Sequence, residues 1–229
     1  MIGLWIYGYY CIIKKSFFLK NKSYNNIKIL ETFILLWYTA IRTYVLKQNS
    51  CRKRKGCGKM DNATRIMINS LTQDILTLFN IHIPIQDIDE LVGMLGGSIQ
   101  TDSSCTDGSV VKEGDSFRIL VSPFQDEKRR RFTIAHELGH LFLHMGYLTN
   151  AELWERQDEN IYHRLGSSEK EYQANEFAAA FLMPQREYIK IMNENINGNK
   201  VNTSKIAEYF NVSVEAASNR GKFLGYLKW

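Results

Sequence analysis

The sequence predicts an α+β domain, mainly helical, with a small antiparallel sheet of about three strands. Three observations carry that expectation. Residues 61–80 set apolar side chains at helical spacing. Residues 98–122 break into short β-like runs separated by Gly-containing turns. After Pro123 the chain returns to helical patterning and keeps it to the end. With 229 residues, 45% of them hydrophobic, the chain can bury one medium core or two small ones. An aromatic content of 12% with only three prolines excludes a globally disordered chain.

Residues 1–59 stand apart. They carry twelve Lys/Arg and a single acid, Glu31, for a net charge of +11, whereas residues 60–229 carry −6; together these make the chain's +5. The main domain, 60–229, is therefore acidic, which removes the simplest support for general nucleic-acid binding. Met1–Ile13 is uncharged, yet as a helix it would reach only about 20 Å against a hydrocarbon core of about 30 Å. The second apolar run, Thr32–Ile41, is shorter still. Lys14 and Lys15 follow the first run instead of preceding it, the reverse of a secretory leader. Three readings fit this extension: sequence upstream of a natural start at Met60, a membrane-surface anchor whose basic residues face anionic lipid, or part of the core. The break in composition at Met60 favours the first, and membrane association would run through residues 1–59 alone. Cys11, Cys51, Cys57 and Cys105 are too few for a disulfide scaffold and have no two-residue spacing, which points to a reducing, cytoplasmic setting.

From Met60 the elements read in order. In Asp61–Asn80, the residues Ile66, Met67, Ile68, Leu71, Ile75, Leu76 and Phe79 fit a helix face. Ile81–Ile85 with Pro84 is a connector. Gln86–Leu95 is a short helix stopped by Gly96-Gly97. Ser98–Thr101, Val110–Lys112 and Phe117–Val121 are strands, with turn signals at Asp107-Gly108 and Gly114-Asp115.

The chemistry sits in RFTIAHELGHLFLH, residues 131–144. His136 and His140 lie one helical turn apart and about 40° around the axis, so their imidazoles can converge on one metal ion. Glu137, near the same face, reaches a water on that ion and is the candidate general base. Phe132, Ile134, Leu138, Leu141 and Leu143 bury the helix, and buried histidines need partners. His144 lies eight residues from His136, about 12 Å along the axis, too far to share the ion. It reads as a satisfied polar residue at the helix end.

A third ligand comes from SEKEYQANEFAAAFLM, residues 168–183. Ala174, Ala178, Ala179 and Ala180 make a strong helix whose small side chains permit close approach. Glu171 and Asn175, at i and i+4, share a face with Ala174 and Ala178. If that face packs on the HExxH helix, Glu171 adds a carboxylate to the metal and Asn175 hydrogen-bonds a ligand histidine. Glu169 and Glu176 point elsewhere, Glu176 toward solvent. The alternative for Glu171 is a capping box with Ser168. Two histidines, a carboxylate and an open position favour one zinc ion over manganese or iron.

RFTIAHELGH followed by EYQANEFAAAFLMP resembles the ImmA/IrrE family of zinc metallopeptidases, over roughly residues 60–229. The resemblance implies a zincin-like metallopeptidase domain. His136, His140 and Glu171 would be ligands, Glu137 the base and Asn175 a supporting group. It also implies a protein substrate, a helix-turn-helix repressor encoded beside the protease on a phage or other mobile element, or a stress regulator. Nucleic acid is not expected as a direct partner. The competing reading is a non-catalytic regulator that binds protein or DNA through the same domain. No spacing rule selects an oxyanion-stabilising residue, since Tyr162 and His163 merely lie between the motifs, and no substrate-binding residue is assigned.

The tail, within residues 201–229, has a helix-turn-helix outline around Asn211–Ser213. Its second helix has few early basic residues, so packing is favoured over DNA contact. The run Lys128–Arg131 reads as a solvated face or an acidic contact.

Overall fold

Asp61 starts the first helix, α1 (Asn62–Leu78), by accepting a 2.7 Å hydrogen bond from the Thr64 amide. The computed structural model describes residues 60–157 and 168–228, all within one unit spanning Tyr44–Trp229. The apolar runs, basic cluster and cysteines before Met60, together with Tyr162 and His163, lie outside the described residues. Helix α1 buries Ile68, Thr72, Ile75 and Leu76. Ile66, expected on the same stripe, is 69% exposed, because two residues along a helix is a 200° rotation. Helix α2 (Ile88–Met94) is capped by Asp87, which accepts from the amides of Asp89 and Glu90. It stops before Gly96, whose φ of +90° favours glycine.

Three strands follow: β1 (Ser98–Thr101), β2 (Gly108–Glu113) and β3 (Ser116–Val121). β2 and β3 form the expected antiparallel hairpin, closed by Gly114-Asp115 with Gly114 at φ +56°. β1, however, pairs in parallel with β3, from Ser98 opposite Arg118 to Thr101 opposite Val121, so the sheet is mixed and its order is β1-β3-β2. The connection 102–107 carries the chain past β3 instead of folding β2 back on β1. β3 holds the buried residues Phe117, Ile119, Leu120 and Val121 and takes the centre, where both edges are covered.

Helix α3 (Glu127–His140) begins at Asp126, which caps the Arg129 amide. Its basic run ties it to its surroundings. Arg129 pairs with Asp107 at 2.9 Å, and Arg130 reaches both oxygens of Asp89 at 2.8 Å. Arg131 is buried and donates to the carbonyls of Ile85 and Gln86. The helix widens into a π turn, Leu141–Met145, that ends at Gly146 with φ +86°. Then come α4 (Ala151–Glu155), α5 (Ser168–Leu182) and α6 (Gln185–Glu194), a short ribbon of β4 (Ile196–Asn197) and β5 (Lys200–Val201), and the tail helices α7 (Thr203–Phe210) and α8 (Val214–Phe223).

One core runs through α1, α2, the sheet, α3, α5 and α6 into the tail, with Val110, Ile134, Leu138, Phe177, Phe181 and Phe210 at its centre. The tail turns at Asn211, in the left-handed region at φ +50°. It docks by its interior: Tyr188 of α6 donates to the Ala217 carbonyl at 2.8 Å, and Arg220 of α8 is 1% exposed. Arg220 is thus part of the domain's interior. Among the described residues no helix is long and apolar enough to cross a membrane.

Candidate metal centre

The close packing of α3 on α5 creates the site. Gly139, between the two motif histidines, faces Ala174 and Phe177 so closely that a methyl group there would lie 3.0 Å from the Ala174 Cα. Small residues on both helices let the backbones approach, as the alanine-rich sequence of α5 leads one to expect. His136, Glu137 and His140 are all buried on the inner side of α3.

His136 Nε2 and His140 Nε2 stand 3.0 Å apart. The Glu171 carboxylate closes the triangle, with Oε2 3.2 Å from His136 Nε2 and Oε1 3.3 Å from His140 Nε2. Donors held about 2.0–2.1 Å from a tetrahedral ion are separated by about 3.3–3.4 Å. The triangle therefore has the size such an ion needs, and these three residues form a group that could hold one. Two imidazole nitrogens aimed at each other over 3.0 Å also require a positive charge between their lone pairs, a proton or a cation. The donor set, two imidazoles and one carboxylate, suits a zinc site with an open fourth position. The side chain of Ser168 lies outside the description; Glu171 itself is directed at the imidazoles.

The other nitrogens of both rings are also engaged. His136 Nδ1 lies 3.0 Å from Asn175 Oδ1, the contact expected for that asparagine. His140 Nδ1 lies 3.0 Å from His144 Nδ1, and His144 Nε2 lies 3.0 Å from Gln173 Oε1. His144 thus stands outside the donor triangle, as its distance from His136 requires, but it is more than a polar residue closing a helix. The i, i+4 spacing from His140 to His144 repeats that from His136 to His140 and is the signal that points to this contact. Desolvation pushes the His144 imidazole down to about 4, so the ring is neutral near pH 7. Gly108, the first residue of β2, covers Glu137: a methyl there would overlap Thr133 Cγ2 and lie 3.0 Å from Glu137 Oε1.

Glu176 corrects the solvent-facing expectation. It is 6% exposed and accepts from Arg220 at 2.9 Å, Asn69 at 2.7 Å and Arg65 at 3.2 Å. Arg220 also donates to Asn69 Oδ1 and to the Met183 carbonyl. One turn beyond the candidate ligand, α5 is therefore fastened to α1 and α8.

The family model of the IrrE N-terminal-like domain matches residues 98–222. The chain belongs to this family. The match brings a peptidase-type classification and takes in the sheet, the HExxH helix, α5 and most of the tail. It leaves out α1, which in this IrrE N-terminal-like domain supplies Arg65 and Asn69 to the buried cluster. A solved structure of a Mycobacterium tuberculosis transcriptional regulator is similar over 67% of this chain, at 18% identity and a TM-score of 0.45. The chain spans 45% of that protein's length. A search of curated proteins gives no match.

Proposed function

We propose that the chain is a zinc-dependent endopeptidase that cuts a peptide bond in a regulatory protein. The observation that carries this reading is the convergence of His136, His140 and Glu171 on one point, with Glu137 buried on the same helix. A zinc ion held by those three residues would supply Lewis acidity toward a water and a scissile carbonyl. Glu137 then takes the water's proton and returns it to the leaving amine. Asn175 accepts the Nδ1 proton of His136, which leaves Nε2 bare and aimed inward. The family resemblance favours a helix-turn-helix repressor encoded beside the protease as the substrate. Burial of Arg220 takes one of the tail's few basic residues away from any DNA-facing surface, which favours the protease over the DNA-binding alternative only at that position.

The test is metal analysis of the purified chain together with cleavage of the neighbouring repressor. One equivalent of zinc and a discrete cut are expected. Glu137→Gln should keep the zinc and lose cleavage by about 10²–10⁴-fold. Undiminished turnover in that variant would remove the proposed base. Salt-sensitive binding to a defined DNA site without proteolysis would favour the regulator instead.

A further inference from the structure

We infer that His144 and Gln173 form a positioning relay that fixes His140 in the tautomer with a bare Nε2. The inference rests on the metal reading above and extends it to two residues that touch neither ion nor substrate.

The direction of the relay follows from the donors and acceptors available. At its outer end the Glu169 carboxylate can only accept. It lies 3.4 Å from the Gln173 amide, whose nitrogen must therefore face it. That turns Gln173 Oε1 toward His144 Nε2, 3.0 Å away, and an amide oxygen also only accepts. His144 then donates from Nε2 and presents Nδ1 as an acceptor. Nδ1 faces His140 Nδ1 at 3.0 Å, so His140 is the donor there. A neutral imidazole with its proton on Nδ1 has a bare Nε2, and that nitrogen is one corner of the triangle with His136 and Glu171. The opposite arrangement would place a proton on His140 Nε2, directed at the ion.

The two candidate ligand histidines are thus held differently. His136 meets Asn175 directly, whereas His140 reaches Gln173 through His144, which the π turn presents. Both supports come from the first turns of α5, beside Glu171.

The experiment uses the full chain loaded with zinc. Long-range ¹H–¹⁵N spectra of histidine-labelled wild type should show the proton on Nδ1 of His140 and on Nε2 of His144. A proton on His140 Nε2 or His144 Nδ1 would overturn the relay, whatever the variants do. In competition with a chelator, His144→Phe should bind Zn²⁺ about 10–100-fold more weakly. His144→Gln, whose Oε1 can accept the same proton, should recover most of that loss. Thermal unfolding of the metal-free forms checks folding. Affinity of His144→Phe within about twofold of wild type would overturn the relay while leaving the metal reading intact. Failure of wild type itself to bind zinc would overturn both.

Discussion

Gly139 and Ala174 put α3 and α5 in backbone contact, with a Gly139 methyl due to fall 3.0 Å from the Ala174 Cα and 3.1 Å from its carbonyl oxygen. Backbone on both sides leaves little room to yield. Gly139→Ala gains about 1 kcal/mol of helix propensity and is opposed by an overpacking cost of about 1–3 kcal/mol. The larger effect falls on geometry, because the donor triangle spans this contact. A chelator competition should show zinc affinity falling about tenfold, the lower end of what disturbed ligand support costs. Unchanged affinity would mean the helices can separate without moving the donors.

Gly108 makes the matching approach over Glu137. Gly108→Ala should retain one equivalent of zinc yet cleave more slowly, since the added methyl overlaps Thr133 Cγ2 and crowds Glu137 Oε1. Adding Thr133→Ser removes that Cγ2 and should restore part of the rate. Equal rates in the single and double variants would show that Thr133 does not transmit the clash.

The cluster of Glu176 with Arg220, Arg65 and Asn69 makes a stability prediction. Arg220→Met leaves a buried carboxylate short of its best-buried cation and should cost about 3–5 kcal/mol in urea unfolding of the metal-free chain. The double variant Glu176→Met with Arg220→Met should cost clearly less than the sum of the singles. Strict additivity would show that the two side chains do not act as a pair.

Tyr188 supplies an alkaline limb. Burial pushes its phenol up to about 12, above the usual value of about 10. The folded chain thus holds that proton more tightly than the unfolded chain. Its stabilisation is complete below about pH 10 and is lost as pH rises through about 12. Tyr209 is also pushed up to about 12, by burial first and then by Glu187, so both contribute. Tyr188→Phe loses the hydrogen bond to Ala217, about 1 kcal/mol near pH 7. It should also show a shallower decline between pH 10 and 12 than wild type. A decline as steep as wild type's would assign that limb to other groups.

The parts of the molecule legible in its sequence are those where one local rule dominates. The HExxH spacing and the alanine-rich face of α5 point to the three residues the structure brings together, because helical periodicity alone decides which side chains share a face. Gly96 and Gly114 mark their turns through backbone conformation. Long-range pairing is what escaped. Whether β1 would pair with β2 or β3, and in which direction, depends on a connection that short hydrophobic runs do not encode. The rotation that places Glu176 away from Glu171 is correct. The surface it meets is covered by α1 and α8, through partners 107 and 111 residues before it and 44 after it. His144 reads from the sequence as a polar residue at the helix end; its i, i+4 spacing from His140 is the signal that could have found the contact, but its own partner, Gln173, lies on another helix.

The order in which the chain is made follows from that cluster. Glu176 is synthesised after Arg65 and before Arg220, so until Arg220 follows, its carboxylate lacks the best-buried of its cations. Glu171 and Asn175 belong to the same helix. Their final seating therefore waits until Arg220 has been synthesised, and a nascent chain halted short of it would present an unfinished pocket.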